Sequence, residues 1–353
     1  MTFSTSVALW IGTYPAQGTD AGSGEGVWHV DVDVTTGELR SPTLATTLPS
    51  PSFLARHPAA PVLLAVSETA PGALTALRVG PGATLDPVVT LDSGGDHPCH
   101  VTASDTSVWV ANYGDGVAAA WATGADGVPL ASHHSLHAGE GTGPVADRQE
   151  GPHAHQATVR GDRVLVTDLG ADVVRRYPVD PTPDDTGDVA ARLPAGTGPR
   201  HLVVLPDGSL VVAGELDARL HVLRPAGDGW EHAGSVPVSP LGAPGQAYPA
   251  HVTLSEDGTR LHVGLRGPDV LAVLDVVEGD PVGLVHRADV HLGAGSWPRH
   301  HEVVARQGDD ELIVVALQNS QELATVRVGS GGGSEVVART AWPTPPSCVL
   351  VAR

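Results

Sequence analysis

Short apolar runs recur along the chain, each ending abruptly in a polar residue: "VLLAVSE", "VWVANY", "VLVTDL", "LVVAGEL", "LHVGLR" and "LIVVALQ". Runs of this length, rich in β-branched residues and bounded by Gly, Pro and Asp, predict buried strands rather than helices. More polar alternating segments follow each run, as expected for strands nearer solvent. A second pattern sets the spacing. A proline followed by a short polar and then apolar stretch recurs at Pro51, Pro98, Pro152, Pro199, Pro249, Pro298 and Pro346, at intervals of 47, 54, 47, 50, 49 and 48 residues. Seven units of about 48 residues, each with room for four short strands, predict an all-β fold, the seven-bladed β-propeller.

The ends of the chain fit the same scheme. After Pro346 only one strand, "SCVLVAR", remains, whereas the residues before Pro51 hold three: "SVALWIGTY", "GVWHVDVD" and "ELRSPTLATTL". The last blade is therefore expected to be closed by the N-terminal strands plus the C-terminal strand, leaving no open sheet edge. A single propeller domain over residues 1–353 follows. The tracts "PTPDDTGD" and "GSGGGSE" are expected at blade hairpins on the surface.

Composition agrees with this picture and narrows the function. Gly 43 and Pro 30 together make 73 of 353 residues, a density of breakers that long helices do not tolerate. The net charge is −20 and all 20 basic residues are Arg, which excludes lysine nucleophiles and Schiff bases. An acidic chain is a poor partner for nucleic acid or an acidic membrane surface, although a local arginine cluster can still bind a small anion. Two cysteines are too few for a disulfide framework or a thiolate zinc site. No signal-peptide pattern and no membrane-length apolar run occurs, so a cytoplasmic protein is expected. The histidines of "ASHHSLHAG", His133, His134 and His137, fall on an outer strand without a nearby carboxylate. They read as a solvated edge, and neither a metal site nor a cofactor is expected.

In a propeller the inner strand of each blade lines the central channel, so the residue after each motif proline should approach the axis. Those residues are Ser52, Cys99, His153, Arg200, Ala250, Arg299 and Ser347. The next position, with Phe53, His100, Ala154, His201, His251, His300 and Cys348, reads mainly as interior packing. Another ring lies where the second strands end: Glu68, Tyr113, Leu169, Glu215, Arg266 and Gln318. His153, Arg200, Glu215, Arg266 and Arg299 can thus converge at one mouth. Guanidinium groups bind carboxylate or phosphate and stabilise an oxyanion, and an imidazole or carboxylate can move a proton.

The stretches "IGTY", "PSFLARHP", "RQEGPHAHQ", "LVTDLGADVVRRYPVD", "GTGPRHLVVLPDGSLVVAGELD", "HVTLSEDGTRLHVGLRGPDVLAVLD" and "WPRHHEV" span nearly the whole chain. They resemble the lactonase family of seven-bladed propellers, which includes bacterial 6-phosphogluconolactonase and carboxymuconate cyclase. The resemblance implies His153, Arg200, Glu215 and Arg266 as catalytic residues. It also places Arg148, Gln149, Glu150 and His155 in the shared loop, and these, with Arg299 and His300, are the expected substrate-binding residues. His155 is expected in support of His153, on the same side of an extended strand. Where relatives commonly carry Asn before the Glu-Leu and Arg-Gly pairs, this chain has Gly214 and Leu265. The implied reaction is hydrolysis of a sugar lactone, with 6-phosphogluconolactone first, by acid–base catalysis in which His153 or Glu215 activates water. The alternatives are a lactonising cyclase acting on an unsaturated dicarboxylic acid and a propeller that only binds.

Overall fold

In a computed structural model, which describes residues 6–329 and 333–352 (His133 by its backbone only), seven four-stranded antiparallel sheets form a closed ring. Six blades are consecutive in sequence: residues 53–92, 98–138, 154–192, 199–237, 248–291 and 298–341 are blades 1 to 6. The seventh takes its innermost strand, Pro346–Val351, from the C-terminus and its other three, Ser6–Thr13, Gly26–Asp33 and Leu39–Thr47, from the N-terminus. Leu9, Trp10 and Ile11 pair with Val351, Leu350 and Val349 across this seam. Each inner strand touches the inner strands on both sides, including the pair that joins blade 7 to blade 1. The seven-bladed all-β fold and its closure are therefore as the repeat predicts.

The apolar runs are second strands buried on both faces. In "LVVAG" of blade 4, Leu210 and Val212 pack towards blade 3, while Val211 and Ala213 pack towards blade 5. Among the described residues, one hydrophobic cluster fills each of the seven blade interfaces. Both sides of these strands lie against apolar neighbours, so the alternation seen in half-exposed sheets collapses into a continuous run. Outer strands such as Leu39–Thr47 are largely exposed.

The "PTPDDTGD" tract joins the third and fourth strands of blade 3, Val173–Pro178 and Asp188–Arg192, as a hairpin should. Of the second tract, residues 330–332 lie outside the described residues. A three-residue 3-10 turn, Pro81–Ala83, is the helical element described, and no described helix is long and apolar enough to cross a membrane.

One irregularity recurs and governs the site. The inner strands of blades 2, 4 and 6 slip register against their second strands just after the proline. Pro98 pairs with Asn112 and His100 with Ala111, Pro199 with Gly214 and His201 with Ala213, Pro298 with Leu317 and His300 with Ala316. Cys99, Arg200 and Arg299 are thus the extra residues of β-bulges. Such a residue is left unpaired in the ladder, and the bulge re-aims its side chain. Ser347 is skipped in the same way in blade 7.

Candidate active site

Cys99, Arg200 and Arg299 open onto a cavity of about 320 Å³ at one mouth of the channel. It is lined by Glu68, Cys99, Tyr113, Arg148, His155, Arg200, Glu215, Arg266 and Arg299. Glu215 follows the second strand of blade 4 and is nearly sealed from solvent, at 4% exposure. Three guanidinium groups surround it. Arg148 donates to Oε1 at 2.6 Å, and Arg200 Nε and an Arg266 terminal nitrogen each lie 2.8 Å from Oε2. Burial works against ionisation of Glu215, but Arg266, Arg200 and Arg148 outweigh it and hold the carboxyl well below its usual range. Burial and the neighbouring Arg266 lower Arg200 to about 10, which leaves it a cation at neutral pH.

The arginines are fixed by more than this carboxylate. Arg200 donates to Ala250 O at 2.7 Å, and Arg266 donates from Nε to Tyr248 O at 3.1 Å and lies 5.3 Å over the Trp297 ring. Arg299 sits 4.8 Å over the Tyr14 ring and 3.5 Å from Glu68 Oε2, which also accepts from the Tyr14 hydroxyl at 2.6 Å. With four guanidinium groups against two carboxylates, the cavity carries a formal charge of +2 inside a protein of −20. In a cleft partly shielded from water, that charge favours a small anion.

The two loop histidines occupy different places. Ala154 pairs with Asp168 and Gln156 with Thr167, so the bulge residue of blade 3 is His155. His155 lines the cavity, with Nδ1 3.6 Å from the Cys99 thiol. Burial first, and then Arg200, keeps its pKa well below 6.5, so it is neutral at physiological pH. His153 lies outside the cavity lining. Its ring stacks on Tyr113 at 4.5 Å, its Nδ1–H donates to Tyr113 O at 2.7 Å, and its Nε2 is 3.5 Å from Glu150. The inward histidine expected at 153 is therefore at 155, because the bulge interrupts the alternation that would have put both on one side.

Four other expected residues have distinct surroundings. Arg148 joins the cavity from the loop before blade 3. Gln149 is buried and anchors that loop, donating to Leu169 O and Asp172 Oδ1 at 2.9 Å each, so it holds structure rather than facing a ligand. Glu150 is largely exposed beside His153. His300 is packed within the channel, stacked on His251 at 3.9 Å and accepting at Nδ1 from the Val349 N–H. It belongs to a plug of rings one residue further along the inner strands, where Phe53 meets His100 and His201 Nδ1 lies 2.7 Å from His251 Nδ1.

Glu68, Tyr113 and Cys99 line the cavity although the sequence placed them only on rings of equivalent positions. The signal for Glu68 was its alignment with Glu215 at a second-strand end. Of the outer-edge histidines, His137 hydrogen-bonds Asp185 O and Ser135 and stacks on Trp109. No group of three or more His, Cys, Asp or Glu suited to a metal ion occurs among the described residues.

Residues 8–351 match the model of the lactonase, seven-bladed β-propeller family. The chain belongs to that family. It is 28% identical over 303 residues to the 6-phosphogluconolactonase of Bacillus subtilis, covering 82% of this chain and 83% of the relative. A Lactobacillus plantarum protein has the same fold at a TM-score of 0.84 and 25% identity, over 98% of this chain and 99% of that one. The periplasmic gluconolactonase PpgL of Pseudomonas aeruginosa matches at a TM-score of 0.85 and 24% identity, over 99% and 100% of the two chains.

Proposed function

We propose that the protein hydrolyses a sugar lactone, with 6-phosphogluconolactone as the preferred substrate. The carrying observation is the half-open cavity of charge +2 at the mouth of a lactonase-family propeller. Its likeness to the Bacillus subtilis 6-phosphogluconolactonase supports the choice of substrate. The guanidinium groups hold the substrate anion and stabilise the oxyanion that forms when water adds to the lactone carbonyl.

His155 is the candidate base. A strongly depressed imidazole is a weak acceptor, but part of its depression comes from the Arg200 charge. An anion bound against Arg200 offsets that field and raises His155 towards the range where it can take a proton from water. The imidazolium then returns the proton to the ring oxygen as the acyl–oxygen bond breaks, giving the open hydroxy acid. Glu215 is ionised, but its oxygens are engaged by three arginines, so it suits holding them in place better than proton transfer. His153 supports Tyr113 from behind. A cytoplasmic location is proposed as well, supported by two buried free thiols, Cys99 and Cys348.

Purified protein should accelerate opening of 6-phosphogluconolactone, and more weakly of gluconolactone, above the spontaneous rate, equally with and without chelator. Turnover of carboxymuconate alone would favour the cyclase, and absence of any turnover would leave a binding protein.

A further inference from the structure

The charge in the cavity is unevenly distributed. On the side of blades 3 to 5, Arg148, Arg200 and Arg266 surround Glu215, for a local charge of +2. Across the channel, where blades 6, 7 and 1 meet, Arg299 faces Glu68 and the local charge is zero. Glu68 follows the second strand of blade 1, Val62–Ser67, and its backbone N–H is tied to Ser50 O at 3.0 Å. Its side chain is 20% exposed and lines the cavity. Both of its side-chain contacts, from the Tyr14 hydroxyl at 2.6 Å and Arg299 at 3.5 Å, fall on Oε2. Oε1 has no partner among the described residues.

We propose that Glu68 determines specificity: its Oε1 accepts a hydrogen bond from a hydroxyl on the neutral, polyhydroxylated part of the substrate. The anionic or developing-anionic group goes to the opposite side, with Arg148, Arg200 and Arg266. The inference rests on the lactone reading and adds an orientation and a selecting residue to it. Glu215 is less suited to this task, because it is nearly sealed from solvent and both of its oxygens are ion-paired, Oε1 with Arg148 and Oε2 with Arg200 and Arg266. A carboxylate with an open oxygen in an anion site rejects a second carboxylate placed beside it and welcomes a donor, and a ring hydroxyl is a neutral donor. Tyr14 keeps its proton, since burial raises its pKa well above 10, so it donates to Oε2 throughout and leaves Oε1 for the ligand.

The test compares gluconolactone with δ-valerolactone, which lacks the hydroxyls, in wild type, Glu68→Leu and Glu68→Gln. Loss of a hydrogen bond to a charged acceptor should lower the ratio of kcat/KM for gluconolactone to that for δ-valerolactone by about 10- to 100-fold in Glu68→Leu. Glu68→Gln, which keeps a neutral acceptor, should lower it part of the way. An unchanged ratio in both variants overturns the proposal, whatever happens to absolute activity. Calorimetric binding of gluconate against hexanoate gives a readout independent of turnover: wild type should prefer gluconate and Glu68→Leu should lose that preference. A wild type that opens no lactone but shows this Glu68-dependent preference refutes the hydrolase reading and leaves the specificity assignment standing. No preference in wild type refutes the assignment.

Discussion

Replacing Glu215 with glutamine keeps the side-chain shape and removes one charge from the centre of three guanidinium groups. At contacts of 2.6 to 2.8 Å each pair is worth a gross Coulomb energy of about 6 kcal/mol at an effective dielectric of 20. Most of that offsets the desolvation of four ions, so the gross figure overstates the effect. Removing one partner of a buried pair typically costs about 3 to 5 kcal/mol, because the remaining charges stay buried without compensation. Unfolding entropy of about 2.1 cal/mol/K per residue, over 353 residues, gives about 0.7 kcal/mol/K. The expected fall in Tm is therefore about 4 to 7 °C in a buffer free of multivalent anions. The same substitution raises the cavity charge from +2 to +3, so inorganic phosphate can replace the missing carboxylate. Phosphate at 100 times its Kd returns about 2.7 kcal/mol, or about 4 °C. Differential scanning calorimetry of wild type and Glu215→Gln across a phosphate series measures both effects. A variant as stable as wild type, with no larger gain from phosphate, would refute the assignment of Glu215 as the counter-charge of the site.

Exchanging the histidines separately should divide their roles: His155→Asn is expected to lower kcat by about 100-fold or more, as for loss of a general base. His153→Asn should cost less than about tenfold, and the reverse order in steady-state kinetics would return the base to position 153. Burial lowers the pKa values of His100, His155, His201, His251, His300 and His301, to about 3 for His100 and His300. Unfolded histidines take up protons near 6.5, so stability is lost as pH falls through 6.5, at up to about 8 kcal/mol per pH unit for the six together. Urea midpoints should collapse between about pH 6 and 5, and an unchanged midpoint at pH 5 contradicts the buried neutral imidazoles. A Cβ on Gly170 would lie 1.8 Å from Gly151 O, so Gly170→Ala should displace the loop carrying Arg148 and His153, lowering kcat/KM and costing about 1 to 3 kcal/mol in thermal denaturation. Deleting residues 346–353 removes the innermost strand of blade 7 and should abolish the cooperative thermal transition.

The ring was readable because two independent regularities coincide: the spacing of the prolines and the complementarity of the termini. Glu215, Arg200, Arg266 and Arg299 were readable as neighbours because the repeat superimposes their positions. The histidine was not. In blades 2, 4 and 6 the bulge residue directly follows the motif proline, whereas in blade 3 the proline stands two positions earlier and Ala154 takes its place in the ladder. The 54-residue interval between Pro98 and Pro152 marks this blade as irregular, but spacing alone does not say where the slip in register falls. Nor does it tell Gln149, tethered inward to the backbone, from Arg148 beside it, which turns to the cavity. For Gln149 the difference lies in hydrogen bonds to Leu169 and Asp172, in the next hairpin of the blade.

Because each bulge residue stands outside the strand pairing, its identity is nearly independent of the sheet that carries it. A thiol, an imidazole, two guanidinium groups and a hydroxyl occupy equivalent sockets in five blades without altering the ladder on either side. The fold therefore works as a carousel of exchangeable reagents, in which a new chemistry can be tried at one socket while the other blades go on holding the ring shut.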